Sequence, residues 1–472
     1  MPEANNPSRP RAVVVPRLSP WLVAGVLSLL GAAPAQEAPA SETERSIQIF
    51  YGHRPRAEAD HKVAIWGPRK VPSPAQAFRA SKVLPVTGPP IDDGIVLSKD
   101  GDIVAVGRAK DIAIPDGYEV VDLGEAWLVP GFVDLHNHIS AASSADINDS
   151  VHTTNPEFRT IDLITMDHRA LQRAHAGGVT AALYIPGSGS NMGGFGTLTK
   201  TAGRSPEEAL IRFPGSLKIA QAGNPERGAG DLGAGVIGMN QGLRFTLQRG
   251  QAYYQAWEDF DAGKGPEPKF EADLHYLRGL FRHEYPISVH TQIYQVVLQT
   301  IRQLRLEFGL WTFIDHGTFD AYRLSNFAKA SGVPVCNGPR QYYFDPAEGK
   351  FIGLAGAWYQ GGDHGWRSPV DGLGRDGIGI NTDSPVVPQE QLSVQAAMAV
   401  RLGLPDEVAI RALTINPARF AGIDHRVGSL EAGKDADFVA WSGDPLDPRS
   451  YVHTTVVNGR VVYRRNPSRP LF

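Results

Sequence analysis

Val129-Pro130-Gly131-Phe132-Val133-Asp134-Leu135-His136-Asn137-His138 decides the reading of the fold. An apolar run of this kind reads as a buried parallel strand, and it ends in two histidines spaced i, i+2. Strand periodicity sends both imidazoles to one face, where they can reach the same metal ion. In a (β/α)8 barrel the chemistry sits at the C-terminal ends of the strands, and this pair sits at such an end.

Working outward, strands alternate with helices. A helix is expected from about Ile161 to Ala176, then the strand Gly178-Val179-Thr180-Ala181-Ala182-Leu183-Tyr184-Ile185. Ser205-Pro206-Glu207-Glu208 reads as a helix start, with a capping serine, proline in the first turn and glutamate three residues after the cap. Leu217-Lys218-Ile219-Ala220 is a short strand, and helices are expected over about Val236 to Ala262 and on to about His283. Pro286-Ile287-Ser288-Val289-His290, Leu310-Trp311-Thr312-Phe313-Ile314-Asp315-His316, Gly332-Val333-Pro334-Val335-Cys336 and Gly377-Ile378-Gly379-Ile380-Asn381-Thr382-Asp383 complete the series. This alternation argues for an α/β fold, a (β/α)8 TIM barrel over 129–423.

Both chain ends have a different texture. Ala77–Leu84, Gly94–Ser98 and Asp102–Gly107 read as strands, with a hairpin signal at Lys99-Asp100-Gly101, and Glu119–Leu123 adds another. Ala436–Trp441, Val452–Val457 and Arg460–Tyr463 repeat the pattern around Asn458-Gly459. The expectation is one small β-sandwich domain assembled from 77–128 and 424–472. Residues 36–76 read as a polar extension. In 1–35, Arg9, Arg11 and Arg17 precede the apolar run Trp21–Leu30 and the small residues Ala33-Pro34-Ala35, the pattern of a signal peptide. That run is shorter than the roughly 20 residues a spanning helix needs, so the expected destination is periplasmic or extracellular.

Composition narrows the chemistry. The 472-residue chain is 42% hydrophobic and 20% charged with a net charge of -4, which gives nucleic acid or an acidic membrane surface no purchase. A single cysteine, Cys336, excludes an internal disulfide and a thiolate zinc cluster, and it reads as a buried small hydrophobe. A metal would be held by His, Asp or a modified Lys. Five such groups stand at strand ends: His136, His138, His290, His316 and Asp383. Their joint occurrence on one face of the expected barrel points to a metal centre.

With these residues in place the chain resembles the metal-dependent amidohydrolase superfamily, in its imidazolonepropionase-like branch, over about residues 77 to 463. The likeness rests on Val129–His138, Ala176-Gly177-Gly178-Val179-Thr180, Val289-His290, Asp315-His316-Gly317-Thr318 and Thr382-Asp383-Ser384-Pro385. Two tail runs, Leu413-Thr414-Ile415-Asn416-Pro417-Ala418 and Gly428–Asp437, extend it. The resemblance implies that His136, His138 and Asp383 hold one divalent ion, Zn2+ by default, and that His290 and His316 hold a second. It also implies a carboxylated lysine between two ions. Lys218 is the candidate, because it interrupts an apolar strand; Lys200 is the rival. Where the branch often has Gly-Glu-Asn-Pro, this chain has Ala222-Gly223-Asn224-Pro225.

Metal binding lowers the pKa of water from ~15.7 toward about 7 and makes hydroxide available at neutral pH. Asp383 is then the expected general base, and His316 or a second ion would polarise the scissile carbonyl. For substrate contacts, the Gly-rich loop Ser188–Gly196 offers Asn191 and the backbone at Gly194, and Arg340, Tyr342 and Tyr343 would pair with a carboxylate or wall the pocket. The expected function is an exported hydrolase of carbon–nitrogen bonds, other than ordinary peptide bonds in folded proteins, acting on a cyclic amide, an N-acyl amino acid or a dipeptide. The alternatives are a mononuclear deaminase-type or imidazolonepropionase-like site without a carboxylated lysine, and a catalytically silent binding protein. The expected partner is a small-molecule substrate, with no nucleic acid and no membrane after signal cleavage; a homo-oligomer is left open.

Overall fold

The computed structural model describes residues 63–139, 147–149, 152–166, 168–221, 225, 235–339, 342–345, 350–353, 358 and 372–468. The expected signal segment, most of the extension, Arg340 and Ala222-Gly223-Asn224 lie outside the described residues. Among the described residues no helix is long and apolar enough to cross a membrane.

Strands from both chain ends do join one sheet. Its eight strands run in the spatial order Arg460–Arg464, Val452–Val457, Phe438–Trp441, Trp127–Pro130, Gln76–Val83, Ile91–Lys99 and Asp102–Arg108, with Glu119–Asp122 also paired to Gln76–Val83. Trp127–Pro130 lies antiparallel to Phe438–Trp441, with Val129 opposite Val439, and this pairing ties the two ends together. Both hairpins turn where both central residues adopt left-handed backbone. Asp100 and Gly101 have φ of 51° and 85°, and Asn458 and Gly459 have 48° and 69°, the requirement of a tight two-residue turn. Phe78, Val83, Val96, Leu128, Phe438 and Val456 bury the inner face.

The chain leaves this sheet at Gly131, whose missing Cβ would lie 2.0 Å from Thr180 Oγ1. No other residue allows so close an approach. Phe132–Asn137 follows and pairs in parallel with Val179–Tyr184. A second sheet carries Leu217–Ala220, Ile287–Thr291, Thr312–His316, Val335–Asn337 and Ile378–Ile380 as successive parallel neighbours. Their residues are buried throughout, as strands covered on both faces must be. At its far edge Ser384 forms a parallel bridge with Asn137, and His138 N donates to Ser384 O at 2.7 Å. The end of the last parallel strand therefore lies beside the end of the first.

Three local expectations need correction. The helix expected from Ile161 is a short 3-10 turn, Thr160–Leu163, followed by a separate helix, Arg169–Ala176, that starts where the His168 ring accepts a hydrogen bond from Ala170 N. The helix expected up to His283 is two short pieces, Ala272–His275 and Leu277–Phe281, and the chain turns at His283 with φ +55°. The Gly-rich stretch is not an open loop: Met192–Phe195 is a strand against Leu217–Ala220, and Thr197–Lys200 is a strand against Val179–Tyr184. Glycine makes the first of these possible. Gly194 has φ +105°, and a Cβ there would lie 2.4 Å from Phe158 O, the atom that accepts from Phe195 N at 2.7 Å.

Candidate metal centre

The ligand set is delivered by strand ends. Phe132–Asn137 brings His136, with His138 one residue beyond; Ile287–Thr291 brings His290, Thr312–His316 ends in His316, and Asp383 follows Ile378–Ile380 by three residues. His316 and Asp383 adopt φ of +75° and +49°. Left-handed backbone at a residue with a side chain is strained, and here it occurs at two of the five candidate ligands.

The five groups fall into two overlapping clusters, His136 with His290 and His316, and His136 with His138 and Asp383. Within each cluster the ligating atoms lie within 4.8 Å of one another. Asp383 Oδ1 is 3.3 Å from His136 Nε2 and 3.2 Å from His138 Nε2. The ring centres of His316 lie 4.5 Å from His136 and 4.4 Å from His290. Lys218 is fully buried, and its Nζ stands 3.1 Å from His136 Nε2.

The outward nitrogens show how the rings are held. A carbonyl only accepts, so His138 Nδ1 donates to Ile185 O at 2.9 Å and His316 Nδ1 donates to Gly338 O at 2.5 Å. His290 Nδ1 faces Ser188 Oγ at 3.0 Å, and His136 Nδ1 lies 3.0 Å from Asp315 Oδ2. All four rings thus face their surroundings through Nδ1 and leave Nε2 for the cavity. Burial pushes the His138 imidazole down, His290 far down and His316 to about 4, which favours neutral rings; with Nδ1 donating to a carbonyl, His138 and His316 then present a lone pair at Nε2. For His136, burial and Lys218 push down, but the Asp315 and Asp383 carboxylates outweigh them and the net shift is upward. Burial lowers Lys218 to about 8 against the pull of the same two carboxylates.

These residues fit a divalent cation. The lone pair of His138 meets a carboxylate oxygen, and His316 Nε2 is buried with no hydrogen-bond partner. Acceptors that converge without a proton between them repel one another unless a positive ion joins them.

The remaining sequence-derived candidates scatter. Asn191 donates to Ala220 O at 2.7 Å, at the end of the Lys218 strand, and among the described residues its buried Oδ1 has no partner. Gly194 is the register partner of Lys218, but the flanking amides are spent, Met192 N on Thr153 O and Phe195 N on Phe158 O. Tyr343 lies in the strand Tyr342–Asp345, opposite Ile352. Cys336 is buried, and burial pushes its thiol well up. Lys200 is away from the histidines: its Nζ contacts Asp437 and lies 2.8 Å from Asp435 Oδ2. Sequence reasoning missed Ser188 and Asp315. For Asp315 one signal was present, a carboxylate inside an apolar strand.

Comparison with known proteins agrees with this geometry. Residues 360–462 match the model of the Amidohydrolase family. A crystal structure of an amidohydrolase from Thermotoga maritima MSB8 is 32% identical, with a TM-score of 0.71 over 82% of this chain and 100% of that one. Amidohydrolase tasK of Hapsidospora irregularis is 25% identical over 75% of this chain, and the match spans 38% of tasK. An imidazolonepropionase of Thermoplasma acidophilum is 23% identical over 76% of this chain and 88% of its own length. The first of these likenesses implies a TIM-barrel fold with α/β content. Converging imidazoles, a carboxylate and a full-length structural relative together place this chain in the metal-dependent amidohydrolase superfamily, in its imidazolonepropionase-like branch, among hydrolases of carbon–nitrogen bonds.

Proposed function

We propose that this protein is an exported hydrolase of small cyclic amides, N-acyl amino acids or dipeptides, with its site at the mouth of a closed (β/α)8 barrel and a β-sandwich built from both chain ends. The observation that carries the reading is the pair of ligand clusters that share His136, with Lys218 3.1 Å from the shared ring. A divalent ion bound there, Zn2+ by default, lowers the pKa of a coordinated water toward about 7 and polarises a carbonyl.

The chain's own residues do the rest. His138 and His316 are locked by carbonyls behind them, so the site is preformed before substrate arrives. Asp383 is part of the ligand set and less deeply buried than the histidines beside it, so it can take a proton from the attacking water and return it to the leaving nitrogen. With a second ion bound, His290 and His316 would hold it through Nε2, and that ion would polarise the scissile carbonyl. In the two-ion form Lys218, carboxylated by carbon dioxide, would help hold the ions beside His136.

A second reading has specific support. One Nε2 binds one ion, and His136 belongs to both clusters, which favours a single ion with unmodified Lys218, the arrangement of a deaminase-type site. Metal content per chain, measured on protein purified with bicarbonate and without chelator, separates the two. About two ions, falling with Lys218→Ala, support the bridged site; about one, unchanged by that substitution, supports the other. Hydrolysis across N-acyl amino acids, dipeptides and cyclic amides tests the activity, with Asp383→Asn expected to lose on the order of 10²–10⁴-fold. A metal-loaded protein inert toward the whole panel refutes the proposal and favours a silent binding protein.

A further inference from the structure

We propose that Asp315 is the positioning residue that prepares His136 to receive the metal ion. The inference rests on the metal reading above. Asp315 is fully buried, its Oδ2 lies at ion-pair distance, 3.0 Å, from His136 Nδ1, and among the described residues neither carboxylate oxygen is reached by a hydrogen bond of good geometry. A carboxylate accepts and does not donate, so Nδ1 carries the proton and Nε2 is turned to the cavity, 3.3 Å from Asp383 Oδ1.

Two comparisons within the molecule single this contact out. The other three imidazoles rest on neutral groups, the Ile185 and Gly338 carbonyls and the Ser188 hydroxyl. Only His136, the ring shared by both ligand clusters, is backed by a carboxyl group. The second comparison is with Asp134, another fully buried carboxylate two residues from His136. Asp134 is satisfied by neutral donors, Thr382 Oγ1 at 2.6 Å, Gln389 Nε2 at 2.9 Å and two backbone amides. Among the described residues Asp315 has no such donors. A buried carboxylate that depends on one imidazole costs the metal-free fold stability. It repays that cost when a cation sits on the far nitrogen of the ring, because the carboxylate then stabilises the positive charge through the imidazole and increases its basicity.

Zn2+ affinity, measured by competition with a chromophoric chelator, and the melting temperature of the metal-free protein test the assignment on Asp315→Asn, Asp315→Ala and Asp134→Asn. The expected result is a loss of Zn2+ affinity of about 10-fold for Asp315→Asn and about 100-fold for Asp315→Ala, with metal-free melting unchanged or raised. Asp134→Asn, the structural control, lowers the metal-free melting temperature. Unchanged affinity in folded Asp315→Asn overturns the assignment while leaving the metal site standing. Metal-free Asp315→Asn that melts as low as the control, or fails to fold, overturns it in favour of a structural role. Wild-type protein that binds no Zn2+ overturns the metal reading and this inference with it.

Discussion

Two buried lysines lie on neighbouring stretches of the chain, and substituting each by methionine should give opposite phenotypes. Lys200 Nζ bridges Asp435 and Asp437 and ties Thr197–Lys200 to the run that leads into Phe438–Trp441. Lys200→Met does not strand both carboxylates: Asp435 keeps Arg426 at 2.8 Å and Arg69 at 3.2 Å. Asp437 keeps only the Asn458 amide at 2.8 Å. Breaking a buried pair costs about 3–5 kcal/mol, and with one orphaned charge the lower end applies, about 3 kcal/mol. An unfolding entropy of ~2.1 cal/mol/K per residue over 472 residues amounts to roughly 1 kcal/mol per degree, so the melting temperature should fall by about 3 °C. Metal content should not change. Lys218 has no carboxylate at ion-pair distance among the described residues, only His136 Nε2 at 3.1 Å, so Lys218→Met removes an unpaired buried amine. Melting of that variant in the metal-free state should hold or rise, while bound metal or activity falls. Differential scanning calorimetry with elemental analysis on both variants checks this. Loss of metal from Lys200→Met at unchanged melting, with the converse for Lys218→Met, would exchange the two roles and refute the argument.

Three further outcomes are expected. Gly194→Ala forces a side chain into positive φ and against Phe158 O, and should cost about 1–3 kcal/mol in urea unfolding; an unchanged midpoint means the strand does not need that contact. Trp441→Ala removes the ring that packs 5.7 Å from Phe132 between the eight-stranded sheet and the first parallel strand, and should cost about 3–5 kcal/mol in the same assay. Cys336 is fully buried, so a thiol reagent should label it only after denaturant is added, and rapid labelling of native protein contradicts its place in the core.

Much of the architecture was legible because local periodicity and long-range pairing agree here. Fully apolar runs that end in His or Asp became parallel strands, and the Asp100-Gly101 and Asn458-Gly459 pairs became tight turns. What could not be read was whatever depended on a distant partner. Ser188–Gly196 looks like a loop because nothing in it reports that Leu217–Ala220 will supply the backbone that converts Met192–Phe195 into a strand. The choice between Lys200 and Lys218 hung on the same kind of fact: only the fold shows that Asp435 and Asp437, more than two hundred residues away, meet the first.

Asp315 went unread for a sharper reason. Strand alternation places neighbours on opposite faces, so reading His316 as inward pointing assigns Asp315 to the outside. Both nonetheless reach His136, Asp315 through its carboxylate at 3.0 Å and His316 with ring centres 4.5 Å apart. The alternation is broken at His316 by φ +75°, a conformation that a histidine does not advertise in sequence. Asp383 escapes its own strand's periodicity in the same way at φ +49°. The strained positions are therefore where strand alternation misleads, and they coincide with two of the five candidate metal ligands because the surrounding packing holds the backbone where an unstrained strand would not place those side chains.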